Sequence, residues 1–571
     1  MLYLERFGNT PVAKPALSRA LAYLAPLLIY IALSLCYFGM RQSWTLRYQG
    51  EGNDPVSFVW YLHWWPFAIE HHLNPFLSYY VWHPDGVNLS WTTSIPLVAL
   101  LLWPVTTTLG PVMAYNIAMA MAPALAAWTA FLLAIYLSRR WLPALFAGYF
   151  FGFSSYELGQ LLGHLNLALI FLVPVAVLLC VARMRGDLQR RTFVPALAIV
   201  LAAQWGMSTE VLASLCVLGG MTWWIFLLFT KPSDREPLWR LAGDIALAAP
   251  MALCLTSPFL IYLARGMTHG QPFHTSPTAF STDPLNFLLP TRVTLIGQVA
   301  AAGWVEKFAG NASEQGAYLG WPLIVAMIWY LRDHYRHSMT KALLVTMCAI
   351  AIMSLGPRLQ IAQHLTWIRL PWHLFMKTPL IGQALPMRFT MYVALCASLF
   401  MAFWLSDAKT RLQWVTRLGV ALLAAIALLP DRAAFAGTPW PALPFFQASH
   451  VQLALGKDAN VLILPFSDQG PGMGWQVDAA MTFTQAAGYL GPDPGQEDGT
   501  TLEELRHGEL SPDFKNHLMA FCSSHNVDYI LITPKTPASL SKAISELPWA
   551  QRLDRNVVVV SVPRTSVALQ Q

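Results

Sequence analysis

Apolar stretches close to the thickness of a lipid bilayer recur along this 571-residue chain, and nothing else in the sequence restricts its fold so strongly. A helix needs about 20 residues to cross a hydrocarbon core of roughly 30 Å, and inside lipid it must satisfy every backbone N–H and C=O itself. Eleven candidate spans fall at 19–39, 111–137, 141–155, 165–182, 193–209, 211–230, 238–264, 318–331, 342–355, 389–406 and 416–430. Charged residues make up only 12% of the chain, against about 25% in a soluble protein. The expected fold is therefore a polytopic α-helical membrane protein. Residues 94–107 are apolar but short, and a crossing there would invert every later segment; they are expected to be re-entrant or interfacial, covered by protein.

Orientation follows from the cations. Arg139 and Arg140, the runs Arg183 to Arg191, Lys231 to Arg240, Arg332 to Lys341 and Lys409 to Arg417 fall between alternate spans, which assigns them to the cytoplasm. The loops 40–93, 156–164, 265–317 and 356–388, and everything after 430, then face the exoplasm. The net charge of +6 calls for no nucleic-acid partner. The run beginning near Ser18 has no small-residue cleavage site and reads as a retained span. Six of the seven cysteines sit in apolar runs, which argues against a disulfide framework.

After residue 430 the composition changes. Val461 to Pro465, Tyr529 to Ile532 and Val557 to Val562 are short β-rich runs, and helical patterns lie near 511–525 and 537–546. Residues 431–571 are expected to form a small α/β domain behind a membrane domain of residues 1–430.

The loop 40–93 carries the first chemical candidate. Asp54, in Gly52-Asn53-Asp54-Pro55, puts a carboxylate at the lip of a span, where it can take a proton from a hydroxyl or hold a divalent cation such as Mg²⁺ or Mn²⁺. The same residues also suit a helix N-cap. The helix expected at 55–72 is rich in tryptophan, which fits an in-plane helix at headgroup level. Glu157 and His164 stand in a second loop, with glycines that let a ligand approach the backbone. The loop 356–388 holds Arg358, Arg369, Lys377, Arg388 and two histidines and has no acid, so an anionic ligand such as a phosphate is expected there. Glu210, at a span boundary, is expected to be solvated.

Taken together, Gly-Asn-Asp-Pro, Trp82-His83-Pro84-Asp85-Gly86-Val87-Asn88-Leu89, Gly163-His164-Leu165-Asn166 and Leu385-Pro386-Met387-Arg388-Phe389 resemble motifs of the GT-C glycosyltransferase superfamily, within it the bacterial YfhO-like and family-39-like membrane proteins. The resemblance implies about eleven transmembrane helices with in-plane or re-entrant helices and a soluble exoplasmic tail, in a bacterial inner membrane. It further implies sugar transfer, with inversion, from a polyprenyl-phosphate carrier to a glycan, lipid or protein acceptor. Asp54 would be the essential acid, as base or metal ligand. Glu157 or His164 would be a second polar site, and Arg388, with Arg369 and Lys377, would meet the donor phosphate. A lipid-linked-sugar flippase and a non-catalytic envelope-assembly protein are the alternative readings; the absence of an internal repeat speaks against the first.

Overall fold

The computed structural model describes residues 16–39, 43–266, 277–300, 302–378, 382, 384–490 and 499–563, so parts of the loops expected at 40–93, 265–317 and 356–388 lie outside the described residues. Helices occupy every predicted span position. Six segments are long and apolar enough to cross a membrane: Leu21–Phe38, Pro111–Ser138, Leu165–Arg185, Thr209–Phe229, Glu236–Leu255 and Pro386–Ser406. The other five expected spans are shorter or less apolar; Trp141–Gly152, for example, has 12 residues and covers about 18 Å at 1.5 Å per residue. Among the described residues, six of the eleven expected spans are thus long and apolar enough to cross.

The two central helices are Pro111–Ser138 and Pro386–Ser406, with 72% and 89% of their apolar windows buried, against 22% for Leu21–Phe38 at the edge. Small residues make this packing possible. Pro111–Ser138 presents a run of buried alanines, and Trp141–Gly152 lies so close that a Cβ on Gly152 would stand 2.4 Å from the Ala127 backbone nitrogen. In lipid such backbone proximity replaces the hydrophobic drive that packs helices in water.

Residues 94–107 break into two short helices, Pro96–Leu101 and Trp103–Leu109, neither long enough to cross. The helix Asp54–Glu70 departs from expectation. Trp60, Trp64 and Trp65 are buried, not spread at a membrane surface. Their indole N–H groups donate to Gln476 Oε1 (2.8 Å), the Pro75 carbonyl (3.0 Å) and Ser94 Oγ (2.9 Å). The helix is a core element wedged between the membrane helices and the C-terminal region, and its tryptophans are shared packing with satisfied donors.

In the C-terminal region a five-stranded sheet runs in the order Gln551–Asp554, Val557–Ser561, Tyr529–Ile532, Asn460–Leu464, Thr484–Gln485. The first three are antiparallel neighbours and the last three pair in parallel. Helices Gly472–Asp478, Gly499–His507, Phe514–Ser524 and Ala538–Ser545 accompany it. This region is docked firmly onto the rest. The backbone N–H of Gln485 donates to the Tyr80 carbonyl, and His83 N–H donates to the Gln485 carbonyl, both at 2.9 Å.

Candidate active site

The Asp54–Glu70 helix begins with its acid in the first turn and Pro55 beside it, where the missing N–H costs nothing. Asn53 occupies the cap position, yet its side chain makes no cap bond; its amide instead donates to the Asp468 carbonyl at 2.6 Å. Asp54 is not a cap either. Its Oδ2 lies 3.1 Å from His164 Nε2, and its Oδ1 accepts a 2.8 Å hydrogen bond from the Tyr489 hydroxyl. The carboxylate is 39% exposed and His164 17% exposed. Both border a cavity of about 460 Å³, whose other walls are Glu51, Gly52, Asn53, Leu162, Gly163, Arg292, Asn311, Ala312, Ser313, Asp468 and Tyr489.

Three separate segments hold this geometry. His164 follows the short helix Ser155–Gln160, and its Nδ1 lies 3.2 Å from Gln160 Oε1. Gln160 Nε2 in turn donates to the Ser313 carbonyl at 3.0 Å. The loops meet at Gly159, where a Cβ would stand 2.6 Å from the Ser313 carbonyl oxygen, so only glycine fits without moving one of them. Tyr489 comes from the C-terminal region, 435 residues from its partner.

Burial raises the Asp54 carboxyl, but the hydrogen bond and charge of His164, the Tyr489 hydroxyl and the charge of Arg388 outweigh it and hold the group below the usual carboxylate range. Burial, then the nearby Asp54 charge, push the Tyr489 phenol far above its ordinary value, so it remains a donor. A carboxylate has about four lone-pair sites, and two are engaged here. The remainder face the cavity, where an incoming hydroxyl can use them.

Of the other candidates, none lines the cavity. Glu157 is fully buried, and neither of its oxygens has a partner. Burial drives its carboxyl well above the usual range, and it stands behind the cavity wall, not in it. Arg369 and Lys377 are exposed on the segment that follows the Ser338–Ser354 helix. Arg388 corrects the reading of an acid-free anion site. Its Nη2 and Nε donate to Glu314 Oε1 at 2.7 and 3.2 Å, and its Nη1 is bonded to Glu210. Charge balance is settled in three dimensions: the partners come from the loop before residue 318 and from the start of the Thr209–Phe229 helix. Glu210, expected to be wet, is that partner.

Two lining residues, Tyr489 and Arg292, were not among the leading sequence candidates. Arg292 is the one arginine in the cavity wall, paired at 2.7 Å with Glu51 while both stay more than half exposed. No local signal marks Tyr489, because its relevance comes only from long-range docking.

A divalent cation finds few free donors. Among the described residues no three His, Cys, Asp or Glu side chains gather to hold a metal ion. Glu51 is turned to Arg292 and Asp468 to Arg506, which leaves Asp54 alone among these carboxylates to offer lone pairs to the cavity. This donor set does not fit a metal held by the protein alone.

Residues 24–429 match the family described as domain of unknown function DUF6311. This chain belongs to the DUF6311 family. Among curated proteins none matches the DUF6311 chain in sequence. Solved structures do match it in shape. Arabinofuranosyltransferase AftD from mycobacteria aligns over 95% of this chain and 40% of its own length, with a TM-score of 0.60 and 13% identity. The Archaeoglobus fulgidus oligosaccharyltransferase, solved tethered to an acceptor peptide, covers 90% of this chain and 70% of its own, with a TM-score of 0.55 and 14% identity. ArnT from Cupriavidus metallidurans, bound to undecaprenyl phosphate, covers 96% and 100%, with a TM-score of 0.51 and 12% identity. The DUF6311 chain thus has the fold of the GT-C membrane glycosyltransferases, as its motifs suggested, and spans well under half the length of the mycobacterial protein.

Proposed function

We propose that this protein is a membrane glycosyltransferase that moves a sugar from a polyprenyl-phosphate donor to a hydroxyl-bearing acceptor on the exoplasmic face of a bacterial inner membrane. One observation carries the reading. A half-exposed carboxylate, Asp54, is clamped by His164 and Tyr489 at the wall of a polar cavity about 460 Å³ in volume. The likeness in fold to three glycosyltransferases, one solved with undecaprenyl phosphate, supports the choice of donor.

In the proposed reaction the acceptor oxygen attacks the anomeric carbon as the bond from that carbon to the phosphate oxygen breaks. The leaving polyprenyl phosphate keeps the electron pair, Asp54 takes the hydroxyl proton, and direct attack inverts the anomeric centre. Arg292 is the lining cation available to the phosphate. Its pair with Glu51 is solvent-exposed, of a kind worth only about 0–1 kcal/mol, so an incoming phosphate can displace the glutamate. Arg388 acts at one remove, through the positive field that helps keep Asp54 ionised. No step requires a metal: transfer that survives EDTA supports a base, and strict Mg²⁺ or Mn²⁺ dependence would make Asp54 a ligand instead.

The test is purified protein in lipid nanodiscs given a panel of labelled undecaprenyl-phosphate sugars and candidate acceptors. Transfer by the native chain and its loss in Asp54→Asn are expected. Movement of the lipid across the bilayer with no bond cleavage, or full transfer by the variant, would overturn the proposal.

A further inference from the structure

The segment rejected as part of the cavity forms a hairpin of unusual character. Strands Arg358–Ile361 and His364–Arg369 pair antiparallel, with Arg358 directly opposite Arg369 and Gln360 opposite Leu365. Like charges facing each other across a ladder are destabilising. Neither arginine makes an ion pair among the described residues, and no Asp or Glu occurs anywhere from 356 to 388. Alternation along the second strand puts Leu365, Trp367 and Arg369 on one face, and Trp367 is 89% exposed. Ile368, Leu374 and Met376 are exposed close by, as is Lys377.

The hairpin is not a loose flap. At its turn the Ala362 N–H donates to Asp283 Oδ2 at 2.6 Å, and Gln363 Nε2 donates to the Glu306 carbonyl at 2.9 Å. At its base Leu370 N–H donates to the Pro357 carbonyl at 3.0 Å. Arg358 stands four positions beyond Ser354, the end of an apolar helix, a reach of at most about 14 Å. The next apolar segment begins at Pro386. A bilayer's headgroup zone extends roughly 5–8 Å beyond the hydrocarbon on each side, which puts the hairpin within reach of it.

We propose that the 358–369 hairpin is a lipid-headgroup clamp: Arg358 and Arg369 bracket the phosphate of an anionic phospholipid of the membrane the protein spans, while Trp367 and Leu365 rest at the headgroup–acyl boundary. The charge complementarity is direct. An arginine pair without acids gains an anion, and a planar guanidinium fork suits phosphate. An amphipathic indole at headgroup depth is where tryptophan gathers in membrane proteins. The clamp is independent of the transfer reaction and would hold the cavity end of the bundle at a fixed height above the lipid.

A photocrosslinker at the exposed position tests it without any transfer assay. Trp367→p-benzoylphenylalanine protein is placed in nanodiscs of equal phosphatidylglycerol and phosphatidylcholine, irradiated, and its adducts identified by mass spectrometry. Phospholipid adducts enriched several-fold in phosphatidylglycerol are expected. The enrichment should fall by about five-fold for each of Arg358→Ala and Arg369→Ala, the attraction of one basic residue to an anionic surface. Three results overturn the proposal: no phospholipid adduct in protein that is monodisperse in the nanodisc, equal labelling of both lipids, or adducts that form only on another protein chain. Labelling that requires added undecaprenyl phosphate would overturn it too, by assigning the hairpin to the donor.

Discussion

Two charged centres lie near each other in this protein, and they differ in how they are finished. At Asp54 a carboxylate meets a histidine and a tyrosine and still faces open space. At Arg388 one guanidinium meets two carboxylates, which outweigh its charge. The first arrangement has unused lone pairs, which chemistry requires. In the second the cation is already balanced by acids, and the contacts join three distant segments. A cation in a conspicuous sequence context is therefore a weaker guide to a binding site than the charges the fold packs against it.

The contrast breaks most sharply by mutation. Asp54→Asn keeps the size of the side chain and removes the proton acceptor, so transfer should fall by roughly 10²–10⁴-fold while the thermal midpoint barely moves. Comparable loss of stability would make Asp54 architectural, like its neighbour. Arg388→Ala should do the reverse. It strands Glu314 and Glu210 without their cation, at about 3–5 kcal/mol of stability. Thermal unfolding in detergent reads this directly; a stable variant with lost donor binding would return Arg388 to the site.

Tyr489→Phe sharpens the comparison within the open centre. With the hydroxyl gone, Asp54 loses one of the contacts that hold its pKa down. Its ionised form is the base, so activity is lost as pH falls through its pKa. The acid limb of the rate profile should move to higher pH, with about ten-fold lower kcat and a little-changed donor KM. The other charged groups around Asp54 are His164, Glu51, Asp468, Arg292 and Arg388, and all remain in the variant. An unmoved limb would leave Tyr489 a packing residue.

The smallest effect concerns Asp478, whose carboxyl is pushed up to about 6 by burial despite a 2.9 Å hydrogen bond from Trp440 Nε1. A raised pKa favours the folded state at low pH, and the benefit disappears as pH rises through about 6. Asp478→Asn keeps the acceptor without the charge and should stabilise the protein at pH 8 and leave it unchanged at pH 4. Unfolding at the two pH values checks the sign.

What could be read from the chain follows from the range of each interaction. Helix positions were legible because the apolar runs are local, as were the strands at 460–464, 529–532 and 557–561. Membrane crossings were less so, because a short helix in a crowded bundle is apolar for packing as much as for lipid. Asp54 and His164 were each visible as polar residues in loops on one side. Their direct contact was not, since it spans 110 residues. Trp60, Trp64 and Trp65 misled because tryptophan is common both at membrane surfaces and in cores, and only the partner Gln476, more than 400 residues away from Trp60, separates the two. Arg388 misled for the same reason: its partners Glu210 and Glu314 are remote from it in sequence.

The family match ends at residue 429, whereas Asp468 and Tyr489 close one side of the cavity. In the proposed reaction that wall would bear on which nucleophile reaches the sugar. With it in place, the space beside Asp54 is small and a bulky alcohol can exclude solvent from it. Were it to swing away, bulk water would stand where the acceptor should, and the same carboxylate would deprotonate water just as readily. A transferase would then waste its donor by hydrolysis, so in the proposed reaction the wall made by the C-terminal region would guard the yield as well as the geometry.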